Sequence, residues 1–156
     1  MGQAFEQWVT ASQRKLLSYA YLLTGDREEA RDVVQDVYGR LAGKFAGLDG
    51  VDAYARRSVT NEVASRRRKP RLKTVEYDRE HAAIDGAAIV PDKVVAWRLC
   101  AELPPTQRAA VVLRFYDDLT FAEIGDILGV PEATARSHVH RALVSLRERL
   151  DQEDFR

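Results

Sequence analysis

The chain has little cysteine, no long hydrophobic run and no net charge, and these absences exclude whole classes of protein. Its 156 residues include one cysteine, Cys100, so no internal disulfide framework exists, which suits a reducing compartment. No apolar run approaches the roughly 18–20 residues that span a bilayer. The N-terminus has no basic segment followed by a hydrophobic stretch, so no secretion signal is expected. We therefore expect a cytoplasmic protein that does not enter a membrane.

Motifs of catalytic chemistry are also missing. His81, His138 and His140 do not stand at metal-ligand spacing from cysteines or carboxylates. The sequence has no phosphate-binding glycine loop, nucleophile elbow or HExxH motif. We therefore expect no metal site, no cofactor and no enzymatic activity.

The zero net charge, 24 basic against 24 acidic residues, hides a strong segregation of charge along the chain. Residues 56–73 hold eight basic side chains and one acid, Glu62, whereas residues 117–132 hold five acids and no base. Residues 26–36 hold five acids and two bases. Because a partner meets the local field rather than the total charge, separate surfaces for cationic and anionic partners are predicted.

Helical periodicity dominates, and the pattern predicts an all-α protein of two small helical domains. We expect three helices in residues 1–70, over 4–23, 27–42 and 52–69, with Gly25 ending the first and Asp26 capping the second. Residues 71–90 lose the periodicity, which predicts a flexible linker. Residues 91–156 are expected to form a second domain of four helices, the first two starting near Pro91 and Pro105.

Residues 120–143 have the pattern of a helix-turn-helix. Thr120 and Glu123 form a capping box, Gly129 stands where the chain must turn, and Pro131 opens the second helix. The face of that helix opposite its apolar stripe holds side chains suited to contacts in the major groove: Thr134, Arg136, Ser137, His138, His140 and Arg141. Arg147 and Arg149, further along, are candidate phosphate contacts.

Residue patterns alone leave several functions open. An autonomous helix-turn-helix regulator would bind duplex operator DNA, with residues 1–70 serving for dimerisation or sensing. A helical adaptor without nucleic-acid binding is a weaker alternative, because the arginine run at 66–68 favours phosphate binding. An exposed acidic-polar patch on the second helix, Asp32, Gln35 and Asp36, has no obvious partner by itself.

Taken together, three segments resemble the extracytoplasmic-function sigma factors of bacterial RNA polymerase. Residues 19–41 resemble regions 2.1–2.2 with their D-x-x-Q-[ED] core, 52–69 resemble regions 2.3–2.4, and 103–150 resemble region 4. The resemblance implies that Asp32, Gln35 and Asp36 bind the β′ clamp helices of core polymerase, and that region 4 rests on the β flap. The resemblance also allows for an anti-sigma partner, but nothing in the sequence shows where such a partner would dock.

The same resemblance assigns promoter contacts. The −10 element and the opened strand would meet the third helix through Arg56, Arg57, Asn61, Arg66, Arg67 and Arg68. The −35 element would meet the six polar residues of the second helix of the helix-turn-helix, among which Arg136, His138 and Arg141 are expected to be most exposed. His138 stands where relatives have arginine, which removes a full charge and a bidentate donor.

Overall fold

The computed structural model describes residues 2–68 and 98–154, and within these ranges the regular elements are all helices. The chain divides into two compact units, Met1–Asp78 and Arg79–Arg156. The predicted linker, residues 71–90, and the predicted helix start at Pro91 lie outside the described residues. The all-α expectation is therefore confirmed, while the domain boundaries at 70 and 91 stay a prediction.

The first unit consists of α1 (Gln3–Thr24), α2 (Arg27–Ala42), a 3-10 turn (Phe45–Gly47) and α3 (Val51–Arg68). Gly25 ends α1 in the left-handed conformation, with φ of 73°, and donates its N–H to the Tyr21 carbonyl. The Asp26 carboxylate then accepts from the N–H groups of Glu28 and Glu29 at 2.9 and 3.2 Å. Both local signals lie where the sequence places them, and they fix the boundary between α1 and α2.

Apolar stripes of the three helices pack against one another to form the first core. The largest wholly buried side chains of this unit are Tyr19, Val33, Val37, Leu41 and Val59. The Tyr19 hydroxyl lies 2.7 Å from the Thr60 hydroxyl and so links α1 to α3. Because each stripe is buried, the opposite faces of α2 and α3 are left for partners.

The second unit comprises α4 (Pro105–Phe115), α5 (Phe121–Leu128) and α6 (Glu132–Asp154), and residues 98–100 are also helical. Every pair among α4, α5 and α6 is in contact. Their core contains the apolar residues that the periodicity predicts, with Leu113 and Ile124 wholly buried and Ala135, Val139 and Ala142 lining α6. Cys100 is buried here too, as expected for a small hydrophobe.

Candidate polymerase and promoter-DNA interfaces

The turn between α5 and α6 has the geometry of a helix-turn-helix. The capping box is complete: the Thr120 hydroxyl accepts from Glu123 N, and the Glu123 carboxylate accepts from Thr120 N, both at 3.1 Å. Gly129 ends α5 in the left-handed region, with φ of 71°. The predicted start, turn and second helix are therefore all present, although α6 begins at Glu132, one residue after Pro131.

Gly125 is a residue whose role the sequence reasoning missed. It is buried in the middle of α5, and its carbonyl accepts from Val130 N at 2.9 Å. A Cβ at this position would lie 2.6 Å from the Val130 carbonyl oxygen, because the chain after the turn passes directly over α5. A glycine inside an otherwise well-formed amphipathic helix was the available signal for this close approach.

The first half of α6 presents most of the predicted contacts to solvent. Arg136, Ser137, His140 and Arg141 are exposed, whereas Thr134 is half-buried. Arg136 pairs with Glu132 one turn earlier at 3.5 Å, an exposed contact that contributes little. The Ser137 hydroxyl donates to the Ala133 carbonyl, which leaves its lone pairs available as acceptors.

His138 does not fit the expectation that it is among the most exposed residues of this face. It is half-buried, and its Nδ1 is inaccessible to water, with no hydrogen-bond partner in the described part of the chain. The cause is helical spacing: position 138 lies three residues after buried Ala135 and four before buried Ala142. The expectation was wrong, because His138 sits at the edge of the buried stripe.

Phe121 brings two arginines together at the start of α5. The guanidinium carbon of Arg114 lies 4.4 Å from the centre of its ring, and that of Arg136 lies 5.1 Å from it. Arg114 is further fixed by donating to the Leu119 carbonyl at 2.9 Å. Arg114, which the sequence did not single out, thus extends the cationic surface of α6 back to α4.

Arg149 has a structural role in place of the predicted phosphate contact. Its guanidinium donates to the Glu102 carboxylate at 2.9 Å and to the carbonyl oxygens of Leu99 and Glu102 at 3.3 and 3.4 Å. One of these carbonyls lies within the helical residues 98–100 and the other just after them, so the arginine closes that helix end against α6. Arg147, by contrast, is exposed.

The predicted acidic-polar patch lies on the face of α2 that is turned away from the core. Asp32, Gln35 and Asp36 are all exposed. Gln35 and Asp36 stand three and four residues after Asp32, so all three lie on one side of the helix. The Asp36 carboxylate is not isolated, because Arg66 of α3 donates to it at 2.6 Å. The structure therefore joins two residues that the sequence assigned to different partners.

The arginines of α3 differ in how they are held. Arg57, Asn61 and Arg68 are exposed, while Arg56, Arg66 and Arg67 are half-buried. Arg67 donates to the Leu23 carbonyl at the end of α1, and Arg68 donates to the Ala64 carbonyl at 3.4 Å. The basic residues at 69, 71 and 73 lie outside the described residues.

A cleft of about 230 Å³, which was not predicted from the sequence, separates the first halves of α1 and α3. It is lined by Trp8, Ala11, Ser12, Lys15, Leu16, Asp52 and Arg56. The Trp8 indole N–H donates to Asp52 at 2.8 Å, and its ring packs edge-on against Tyr38 at 5.6 Å. This packing fixes the start of α3 against α1 and α2, and so positions the arginines that follow along α3.

Other kinds of site are absent from the described ranges. There, no three histidine, cysteine or acidic side chains come together in a way that could hold a metal ion. Nor does any helix in that part of the chain combine the length and apolarity needed to cross a bilayer.

Comparison with known proteins assigns both units to one family. The model of sigma-70 region 2 matches residues 8–72, and that of sigma-70 region 4 matches residues 100–148. The RNA polymerase sigma-E factor of Streptomyces avermitilis is 31% identical over 156 residues, which cover 97% of this chain and 87% of that protein. The chain belongs to the extracytoplasmic-function sigma factors.

Further relatives agree with this membership. The sigma-E factor of Streptomyces coelicolor is 31% identical to this sigma factor over 162 residues, covering 99% and 92% of the two chains. The extracytoplasmic-function sigma factor SigW of Bacillus subtilis is 28% identical, covering 94% and 89%. The sigma-factor interpretation is thus confirmed over that of an autonomous helix-turn-helix regulator.

The fold has a counterpart among solved structures. The sigma factor RpoE of Bartonella quintana, solved in complex with the anti-sigma factor NepR, superimposes with a TM-score of 0.74. The two chains are 24% identical, and the match covers 96% of this sigma factor and 98% of that one. By the family models, region 2 corresponds to the unit that contains α1–α3, and region 4 to the unit that contains the helix-turn-helix.

Proposed function

We propose that this sigma factor acts in the cytoplasm, where it directs core RNA polymerase to promoters and assists DNA opening without performing chemistry itself. The observation that carries the proposal is that acidic and cationic side chains occupy separate exposed faces of the described helices. One unit presents an acidic-polar face on α2 and arginines on α3, and the other presents a polar, cationic face on α6. A protein that must bind polymerase and DNA at once needs such separate surfaces.

The acidic-polar face of α2 is proposed to bind the β′ clamp helices of core polymerase. Asp32, Gln35 and Asp36 are exposed on a helix whose other face is buried, so a basic helical partner can lie along them. In the second unit, the exposed apolar side chains Leu143, Val144 and Phe115 are proposed to be covered by the β flap.

The two remaining surfaces are proposed to bind promoter DNA. Arg56, Arg57, Asn61, Arg67 and Arg68 of α3 would hold the phosphates and bases of the opened −10 strand. On α6, Thr134, Arg136, Ser137, His140 and Arg141 would contact the −35 duplex, with Arg114 supporting them on the DNA backbone. His138 would contribute only through the part of its ring that is exposed.

A transcription assay with purified core enzyme separates these roles. Arg136→Ala and Arg141→Ala are each expected to lower transcription from a cognate promoter about 5- to 100-fold, as loss of a base or phosphate contact does, while core affinity is unchanged. Arg98→Ala is the matched control, since it removes an exposed arginine of the same unit that lies outside the helix-turn-helix. Equal losses for Arg98→Ala and Arg136→Ala would contradict the assignment of the −35 surface.

The polymerase surface is tested by charge reversal. Asp32→Arg combined with Asp36→Arg should lower the affinity for core enzyme at least tenfold, because repulsion replaces attraction across the interface. Glu6→Arg reverses an exposed acid on α1 and serves as the control. Unchanged core affinity in the double variant would refute the proposed surface.

An anti-sigma partner is also proposed. Its support is the fold shared with a sigma factor solved in complex with an anti-sigma factor. Co-purification from the native host, with and without the double reversal on α2, would identify such a partner and show whether it uses the polymerase surface.

A further inference from the structure

Four charged side chains of α2 and α3 form one continuous series of ion pairs. Arg40 pairs with Glu62, and Glu62 accepts from Nε of Arg66 at 3.1 Å. Nη2 of Arg66 in turn donates to Asp36 at 2.6 Å. Asp36 belongs to the surface proposed for polymerase and Arg66 to the helix proposed for the −10 strand, so the two surfaces meet in one ion pair.

The exposure of the two partners differs in a way that matters for access. The Asp36 side chain is 52% exposed, so a second cation can approach its carboxylate, whereas the Arg66 side chain is only 28% exposed. An ion pair near the surface shifts an equilibrium by no more than about 5-fold. A basic residue of polymerase that binds Asp36 can therefore displace the arginine.

We propose that the Asp36–Arg66 pair couples polymerase docking to promoter binding. When polymerase binds Asp36, Nη2 of Arg66 is released and becomes a donor for a phosphate of the −10 strand. Glu62 keeps its hold on Nε, so the released side chain stays on the surface of α3. The inference rests on the proposed function, and it makes Arg66 a coupling residue where the sequence suggested a permanent DNA contact.

Thermodynamic linkage gives this coupling a definite form. If polymerase strengthens DNA binding by a given factor through this pair, DNA must strengthen polymerase binding by the same factor. Release of one arginine onto one phosphate of a single strand also steepens the salt dependence, by about 0.7 in the slope of log K against log salt.

The test measures binding of the full chain to a labelled single-stranded −10 oligonucleotide, with and without a saturating β′ fragment that contains the clamp helices. In the wild type, the fragment should raise DNA affinity about 2- to 5-fold beyond any gain seen in Arg66→Ala, and should steepen the salt slope by about 0.7. Asp36→Asn should already bind DNA about 2- to 5-fold more tightly without the fragment, since the neutral amide no longer forms an ion pair with Arg66.

Arg68→Ala provides the matched control, because Arg68 is an exposed arginine two residues further along α3 and, within the described residues, donates only to the backbone of its own helix. It should weaken DNA binding equally with and without the fragment and leave the ratio unchanged. Two outcomes would overturn the coupling alone. One is that the fragment raises the DNA affinity and salt slope of Arg66→Ala as much as those of the wild type. The other is that Asp36→Asn without the fragment binds DNA no more tightly than the wild type. Failure of the wild type to bind either the fragment or the oligonucleotide would overturn the proposed function together with it.

Discussion

Replacing Gly125 by alanine tests whether the close crossing of α5 and the turn sets the geometry of the helix-turn-helix. The added Cβ would lie 2.6 Å from the Val130 carbonyl oxygen and 3.4 Å from Glu132 N. Both neighbours are backbone atoms, so no side chain can rotate away to relieve the overlap. The turn must move instead, and with it the first turn of α6.

The size of the effect follows from two opposing contributions. Overpacking of this kind costs about 1–3 kcal/mol. Alanine in a helix gains roughly 0.5–1 kcal/mol over glycine, which offsets part of the cost. A net loss of about 0.5–2 kcal/mol is therefore expected in the second unit, equivalent to a roughly 2- to 30-fold larger opened fraction.

Amide hydrogen exchange read by mass spectrometry measures this loss separately in each unit. Peptides from α5 and α6 of Gly125→Ala should exchange about 2- to 30-fold faster, while peptides from α1 and α2 should be unchanged. Gly39→Ala is the matched control, since this glycine lies on the exposed face of α2 and a Cβ there has no atom within 4 Å. That variant should slow exchange in α2.

Equal or slower exchange in Gly125→Ala would refute the argument, because it would mean that the turn accommodates the methyl group without strain. Promoter transcription provides a second readout. A displaced first turn of α6 moves the −35 contacts, so transcription should fall in Gly125→Ala even at temperatures where the unit stays folded.

Three further outcomes are expected. Thr120→Ala, which removes the capping box, should destabilise the second unit by about 1 kcal/mol in thermal unfolding, whereas Thr10→Ala, at an exposed position within α1, should change little. Hydrogen bonding from Arg40 is the main cause that lowers the pKa of Glu62, so the ion pair stabilises the fold at pH values above the ordinary glutamate pKa. Stability should fall as the pH drops through the lowered pKa. In acid-unfolding curves, Glu62→Gln should flatten this dependence. Burial raises the pKa of Cys100 to about 11, so iodoacetamide at pH 8 should leave it unmodified until denaturant is added; rapid alkylation of the native protein would contradict its placement in the core.

The features that could be predicted well from the sequence depend on residues that are close together along the chain. Helix ends are one example: Gly25 and Gly129 adopt the left-handed conformation, and the Asp26 and Thr120 side chains accept from N–H groups within three residues. Apolar periodicity likewise located the buried faces, since spacing along a helix determines which residues share a side. Even the half-burial of His138 was available from this periodicity, although its imidazole suggested an exposed contact.

The contacts that could not be predicted join residues far apart in the sequence. Arg66 meets Asp36 across 30 positions, and Arg149 meets Glu102 across 47. Each depends on the angle at which two helices cross and on the reach of a long side chain, and neither quantity is encoded in local spacing. The sequence therefore identified charged faces correctly but not which of their members bind one another.

This distinction bears on how a neutral chain binds DNA. Counting residues gives α3 a strongly positive surface, yet Glu62 and Asp36 partly neutralise Arg40 and Arg66, and Glu132 does the same for Arg136. The field that the separate chain offers to phosphates is thus weaker than its arginine count implies. On the coupling proposed above, a partner that binds the acids restores that field where it docks, so affinity for promoter DNA should rise once polymerase is bound. A neutral composition then favours selectivity for the assembled enzyme over binding of DNA by the chain alone.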